Sequence, residues 1–145
     1  MHNLLVIGAG KIGSLITYLL SESNQYFVYL ADIQENNPHV AKLSSLKNFK
    51  YVQLDAQDSK TVTDFVNTHS IEAIVSSLPY YCNIPIAQVA AENNLHYFDL
   101  TEDVATTNAV EELARNSTKA FVPQCGLAPG FISIIAHDLM QHFPK

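Results

Sequence analysis

The stretch that decides the fold is Leu4–Gly13, LLVIGAGKIG. Its first four residues are all apolar, which is typical of a strand covered on both faces of a parallel sheet. Gly8, Gly10 and Gly13 follow at the spacing G-x-G-x-x-G, and the pattern predicts a helix from Lys11. A strand, a glycine-rich turn and a helix in this order are characteristic of dinucleotide-binding domains.

Outward from this turn, predicted strands and helices alternate along the chain. The predicted strands are Asn3–Gly8, Tyr26–Asp32, Tyr51–Leu54, Ile71–Ser77, His96–Leu100 and Ala120–Gln124. The predicted helices are Lys11–Ser23, Val40–Leu46, Ser59–His69 with Ser59 as its cap, Ile84–Asn93, Val104–Arg115, and an apolar helix from Gly130 through Phe143 that Pro144 ends. In the first helix, the apolar stripe consists of Ile12, Leu15, Ile16, Leu19 and Leu20. We therefore expect one α/β domain over residues 1–145, a doubly wound parallel sheet of Rossmann type with strand order 3-2-1-4-5-6.

The amino-acid composition argues against several classes of partner and of site. The chain is 48% apolar and 15% charged, its net charge is −6, and its few Lys and Arg residues are not clustered. This argues against nucleic acid or an anionic membrane as partner. Cys82 and Cys125 match no zinc or redox spacing and favour free thiols in a reducing cytoplasm, and the histidines have no metal-ligand spacing. The absence of a Tyr-x-x-x-Lys pair excludes a short-chain dehydrogenase.

The glycine-rich turn is predicted to hold the pyrophosphate of a dinucleotide. Gly8 permits the tight turn, Gly10 lets the backbone approach the phosphates, and Gly13 lets the helix pack closely on the strand. The backbone N–H groups around Lys11 and Ile12 open the helix and favour bound negative charge. The alternative is a glycine-rich turn without a ligand.

Asp32 is predicted to select NAD rather than NADP. It lies 19 residues after Gly13, at the carboxyl end of the second predicted strand and directly before Ile33. A carboxylate there accepts hydrogen bonds from both ribose hydroxyls and repels a 2′-phosphate. Residues 33–37 include no Lys or Arg that could bind such a phosphate. The alternative is a solvated acid at the end of a strand.

Two further strand ends complete the predicted cofactor site. Asp55-Ala56 follows the third strand, where Asp55 could accept a hydrogen bond from the adenine amino group. Ser77-Leu78-Pro79 lies at the end of the fourth strand and would border the nicotinamide half. A turn-forming Asp and a turn leading into a helix explain these two segments nearly as well.

The sequence resembles the N-terminal domain of the saccharopine dehydrogenase family. The resemblance rests on four segments, VIGAGKIG (6–13), SLPYY (77–81), YFDL (97–100) and CGLAPG (125–130). The family implies NAD(P)-linked oxidation or reduction at a carbon–nitrogen bond of an amino acid such as lysine or saccharopine. Saccharopine reductases of the family carry Asp before the Pro-Gly pair, where this chain has Ala128, and this departure favours the lysine-dehydrogenase-like branch.

The resemblance also implies a C-terminal substrate domain after Lys145, so we expect the chain to be a fragment. The leading hypothesis is the cofactor domain of an NAD-dependent oxidoreductase, without turnover of its own; a homo-oligomer is possible. Asp99 and Cys125 could lie near the nicotinamide, but a strand-end acid and a structural thiol are the favoured interpretations, and the catalytic residues are unknown. The alternatives are a stand-alone NAD-sensing regulatory module and a domain of this fold that has lost its ligand.

Overall fold

A computed structural model describes residues 1–143 and contains one six-stranded parallel sheet. The strands are β1 His2–Ile7, β2 Tyr26–Asp32, β3 Phe49–Gln53, β4 Ala73–Ser76, β5 His96–Asp99 and β6 Phe121–Val122. The helices are α1 Lys11–Glu22, α2 Ser59–Thr68, α3 Asn83–Glu92, α4 Val104–Ala114 and α5 Phe131–Gln141. Short 3₁₀ turns span Val40–Leu43 and Tyr80–Cys82. The order β3-β2-β1-β4-β5-β6 confirms the predicted topology.

The register aligns the strand ends that carry the predicted site. Ile7 pairs with Ala31 on one side and with Ser76 on the other, and Asp32 pairs with Gln53. The segments that follow β1, β2, β3 and β4 therefore emerge at one edge of the sheet. The order reverses between β1 and β4, which makes this edge the usual ligand crevice of such folds.

Two apolar clusters cover opposite faces of the sheet. On one face, Leu5, Ile7, Ile74 and Tyr97 pack against α2, α3 and α4. On the other, a cluster around Val6, Val28 and Leu30 packs under α1 and the first 3₁₀ turn. Alternate residues of β1 thus belong to different clusters, as expected for a strand buried on both faces.

The prediction of which face of α1 is buried is wrong in part. Its buried residues are the small ones, Gly13, Ser14, Thr17 and Ser21. Ile16 and Leu20 are half-buried, whereas Ile12, Leu15 and Leu19 are exposed. The predicted stripe therefore lies partly on the surface.

Several predicted boundaries also differ. The side chain of Asp58, not Ser59, caps α2 by accepting hydrogen bonds from the backbone N–H groups of Lys60 and Thr61. The predicted helix over residues 40–46 is only a 3₁₀ turn, and β6 is two residues long. The apolar C-terminal helix ends at Gln141, and the predicted stop at Pro144 lies outside the described residues.

Two apolar surfaces remain uncovered in the described chain. A groove of about 550 Å³ lies beside α1 on the sheet face, where Leu4, Val75 and Phe98 line it together with Ile16 and Leu20. Helix α5 has no buried residue, and its large apolar side chains are 39–72% exposed. Within residues 1–143, no helix is long and apolar enough to cross a membrane.

Candidate functional site

The glycine-rich turn is held against the end of β4. Gly8 has φ +100°, and its N–H donates to the Ala31 carbonyl oxygen at 2.8 Å. A Cβ at Gly8 would lie 2.8 Å from the Ser77 carbonyl oxygen, and a Cβ at Gly13 would overlap the Gly8 carbonyl oxygen. Only glycine fits at these two positions: the close contact excludes a side chain at both, and the positive φ disfavours one at Gly8 as well.

Gly10 is different, because nothing lies within 4 Å of the position that its Cβ would take. The residue precedes α1 and provides no side-chain cap, so within the described chain no side chain caps this helix end. The first backbone N–H groups of a helix have no acceptor within it, and they carry partial positive charge. The open side of Gly10 therefore faces a surface that suits an anion.

The Asp32 carboxylate is attached to this turn. Its Oδ2 accepts a 2.7 Å hydrogen bond from the Ala9 N–H, and its Oδ1 accepts one of 3.0 Å from the Gln34 N–H. The residue is half-buried and pairs with Gln53 of β3. These contacts fix the carboxylate at the end of β2, beside the glycine-rich turn.

A cavity of about 190 Å³ opens next to Asp32 at this sheet edge, and we call it the strand-end cavity. Its lining is Ile7, Asp32, Ile33, Leu54, Asp55, Ala56, Gln57, Leu78, Pro79, Tyr81 and Cys82. The structure thus brings together the predicted residues of β2, β3 and the segment after β4. Its walls are mostly apolar, with two carboxylates among the lining residues.

The remaining predicted residues have other positions. Gly8, Gly10, Lys11, Ile12 and Gly13 form the turn and the start of α1, beside the cavity rather than in its lining. Ser77 also does not line it; its N–H donates to the Ile7 carbonyl oxygen at 2.8 Å. The sequence interpretation missed Tyr81 and Cys82, although an aromatic pair directly after Leu78-Pro79 was the signal that could have indicated them.

Asp55 forms a turn and lines the cavity at the same time. Its Oδ1 accepts a 2.9 Å hydrogen bond from the Gln57 N–H, so it forms a turn, and it also lines the strand-end cavity. Burial raises the pKa of the nearby Cys82 thiol, and the Asp55 carboxylate raises it further. The thiol therefore stays protonated at neutral pH.

Asp99 is the last residue of β5, and it is fully buried. Its Oδ2 accepts from the Tyr97 hydroxyl at 2.9 Å, and its Oδ1 accepts from the N–H groups of Thr101 and Gln124 at 3.0 and 3.2 Å. Its carbonyl oxygen accepts from the Cys125 N–H at 2.8 Å. The carboxylate therefore ties the end of β5 to the segment that leaves β6.

Cys125 is exposed, and its thiol donates to the Val122 carbonyl oxygen at 3.2 Å. Partial burial raises the pKa of this thiol, and the Asp99 carboxylate raises it further. A reactive thiol needs a lowered pKa, so the local environment agrees with a structural thiol. Within residues 1–143, no three His, Cys, Asp or Glu side chains group as a metal site requires.

Solved structures share this fold at low sequence identity. Apo saccharopine dehydrogenase (L-Glu forming) from Saccharomyces cerevisiae matches with a TM-score of 0.81 and 18% identity, over 97% of this chain and 31% of that one. An NAD complex of dTDP-glucose 4,6-dehydratase from Bacillus anthracis matches with a TM-score of 0.67 and 13% identity, over 85% of this chain and 54% of that one. The holo form of a GalE-like L-threonine dehydrogenase from Cupriavidus necator matches with a TM-score of 0.64 and 16% identity, over 83% of this chain and 53% of that one. The chain therefore spans about a third to a half of the length of these structures.

A comparison with curated protein sequences gave no significant match. A family model, in contrast, matches residues 4–123 and is described as the saccharopine dehydrogenase NADP binding domain. The matched range includes the glycine-rich turn, Asp32 and the strand-end cavity, so a nicotinamide dinucleotide is the cofactor that the family supports. The chain belongs to the saccharopine dehydrogenase NADP binding domain family.

Proposed function

We propose that this chain binds NAD(H) as the cofactor domain of an oxidoreductase that acts on a carbon–nitrogen bond of an amino acid. The observation that carries the proposal is that a hydrogen bond joins the glycine-rich turn to the Asp32 carboxylate. Gly10 leaves open space where the first helix begins, and the Ala9 N–H donates to the Asp32 carboxylate beside it. Phosphates would bind at Gly10, Lys11 and Ile12, and the adenosine ribose at Asp32.

Charge supports NAD over NADP, although the family description names NADP. A 2′-phosphate would approach the Asp32 carboxylate, and two unit charges about 4 Å apart repel by roughly 1–4 kcal/mol. This repulsion corresponds to about one to three decades of affinity. Residues 33–37, which follow β2, supply no Lys or Arg to offset it.

The strand-end cavity is proposed to hold the adenine. Asp55 uses Oδ1 in its own turn, which leaves Oδ2 to accept from the amino group of the base. Ile33, Ala56, Leu78 and Pro79 would provide apolar contacts around the ring. Because Leu78 and Pro79 line the same cavity as Asp55, we now assign them to the adenosine half rather than to the nicotinamide half.

The reaction itself requires a further part of the enzyme. When bound, the cofactor supplies hydride chemistry, and the protein supplies binding and orientation. The yeast saccharopine dehydrogenase chain is about three times as long as the part that this chain matches. The open groove beside α1 and the exposed apolar side chains of α5 are surfaces that a substrate domain of the same enzyme would cover.

The substrate branch and the cellular setting are also proposals. Ala128, in place of the Asp of saccharopine reductases, favours a lysine-dehydrogenase-like substrate. The free thiols of Cys82 and Cys125 support a cytoplasmic enzyme, because reducing compartments keep thiols free. The acidic net charge of −6 supports a small-molecule cofactor rather than nucleic acid or a membrane as ligand, and a homo-oligomer stays possible.

Calorimetric titration with NADH tests the proposal, with Gly10 substitutions as the control series. The wild-type chain should bind NADH. Gly10→Ala should weaken binding and Gly10→Val should abolish it, because the side chain would fill the space that the pyrophosphate needs, while circular dichroism stays unchanged. Undiminished binding by folded Gly10→Val would show that the cofactor lies elsewhere. If NADH binds but a longer chain with downstream sequence has no activity, the NAD-sensing module becomes the better account.

A further inference from the structure

Two lining residues of the strand-end cavity, Tyr81 and Cys82, have no part in the adenine contacts proposed for Asp55, Leu78 and Pro79. In the sheet order, β3 and β4 lie on opposite sides of β2 and β1. Leu54, Asp55, Ala56 and Gln57 therefore form the wall on the β3 side, and the segment after β4 forms the facing wall. Tyr81 and Cys82 of the second 3₁₀ turn belong to that facing wall.

The two tyrosines of this turn differ in position, although they are adjacent in sequence. Tyr80 and Tyr81 are 55% and 65% exposed, and their rings contact each other edge to face, with centroids 5.7 Å apart. Only Tyr81 lines the cavity. A large aromatic side chain that is mostly exposed at a cavity mouth is free to pack against a flat ligand.

The chemistry of the cavity points to an amino-bearing aromatic ring as its occupant. Its apolar lining, which includes Ile7, Ile33 and Leu54, suits a flat ring. Its carboxylates, Asp32 and Asp55, accept hydrogen bonds and repel acceptor oxygens. Adenine presents an amino group at the edge where hypoxanthine presents a carbonyl oxygen, so the cavity should discriminate between these two bases.

We propose that Tyr81 and Cys82, in the second 3₁₀ turn, form the outer wall of the adenine subsite, with the Tyr81 ring packing against the base and the Cys82 thiol shielded beneath it. This inference rests on the proposed function, because it assumes that the chain binds a nucleotide at this edge. It assigns Tyr81 a direct role in binding the ligand. Stacking of a base on an aromatic side chain adds roughly tenfold or more to affinity.

The first experiment measures affinity for the two halves of the cofactor separately. Tyr81→Ala should weaken AMP binding about tenfold or more and leave nicotinamide mononucleotide binding unchanged. Tyr80→Ala is the matched control and should bind AMP like the wild type. The wild type should also bind AMP more tightly than IMP. Equal AMP affinity of wild type and Tyr81→Ala, in chains that still bind NADH, would overturn the inference and leave the proposed function standing.

The second experiment uses the unmodified chain, so it does not depend on the folding of a variant. Cys82 lines the strand-end cavity, whereas Cys125 borders the groove beside α1, and the pKa of both thiols is raised by burial. Alkylation at alkaline pH, followed by peptide mass spectrometry, should show Cys82 protected several-fold by saturating AMP and Cys125 unprotected. Unchanged reactivity of Cys82 at saturating AMP would contradict the inference. If neither NADH nor AMP binds, the proposed function itself fails.

Discussion

The Ala9 N–H donates a 2.7 Å hydrogen bond to Oδ2 of Asp32, across 23 residues of sequence. The second carboxylate oxygen accepts from the Gln34 N–H. The acid is therefore attached to the glycine-rich turn and supports it, in addition to the role in ribose binding that we propose for it. A substitution at Asp32 has two separable consequences, the loss of charge and the loss of a turn contact.

Replacing Asp32 with Ser should narrow the preference for NADH over NADPH. The substitution removes the repulsion of a 2′-phosphate, so the affinity ratio should fall by about tenfold or more. Asp32→Asn is the matched control, because it keeps an oxygen that can accept from Ala9 but carries no charge. Titration of both variants with both cofactors measures the ratios. A parallel loss of affinity for both cofactors in Asp32→Ser, with an unchanged ratio, would mean that the carboxylate only supports the turn.

Alanine substitutions at Gly13 and Gly10 should differ sharply in their effect on stability. A Cβ at Gly13 would overlap the Gly8 carbonyl oxygen, so Gly13→Ala should lower the free energy of unfolding by about 1–3 kcal/mol or more. A Cβ at Gly10 meets nothing within 4 Å, so Gly10→Ala should change the free energy of unfolding by no more than roughly 0.5 kcal/mol. Urea denaturation provides the measurement. Equal decreases in the free energy of unfolding for Gly13→Ala and Gly10→Ala would contradict the close contact between α1 and the turn.

The close contact between Gly13 and the Gly8 backbone also explains why the sequence predicted the strand order but not the buried face of α1. The alternation of apolar strands and helices, together with the handedness of their connections, was enough to predict the strand order. Periodicity pointed to Ile12, Leu15 and Leu19 as core residues, yet they are exposed. Because Gly13 touches the Gly8 backbone, the small residues beside it face the sheet, and a hydrophobic pattern along one helix does not reveal such a backbone contact.

Tyr97→Phe should destabilise the chain although it removes a single oxygen. The Tyr97 hydroxyl donates to the buried Asp99 carboxylate, and burial, followed by that carboxylate, raises the tyrosine pKa. The hydroxyl therefore stays protonated, and its loss leaves Asp99 Oδ2 without this donor. The expected decrease in unfolding free energy is about 1.5–3 kcal/mol. Tyr80→Phe, at an exposed position, should change it by less than roughly 0.5 kcal/mol; similar effects of the two substitutions would contradict the role given to this hydrogen bond.

Some residues at the candidate site could be predicted from their spacing in the sequence. Others could not, because only folding brings them together. Asp32 and Asp55 were predicted because the first ends a predicted strand and the second follows one, and the structure brings both to the strand-end cavity. Tyr81 lies beyond the residues that the spacing marks, in a short turn with no periodicity. The Asp99 network joins residues 25 positions apart, and no local pattern indicates that Gln124 turns back toward this carboxylate.

The chain by itself should bind cofactor but show no turnover with lysine, saccharopine or related amino acids. The strand ends provide a cradle for the cofactor, whereas one face of the nicotinamide must be covered by another domain to orient a substrate and exclude water. NAD reduction, followed by absorbance, is the assay, and a longer chain that includes downstream sequence is the positive comparison. Robust NAD reduction by the isolated chain would refute this prediction and direct the search for catalytic residues to Ser77–Gly130.

The most direct test of the central claim is the ratio of the NADH and NADPH dissociation constants of the wild-type chain, measured by calorimetry at matched ionic strength. The Asp32 carboxylate, fixed by Ala9 and Gln34, predicts that NADH binds more tightly by about one to three decades. Equal or tighter binding of NADPH, or no binding of either cofactor, would contradict the account.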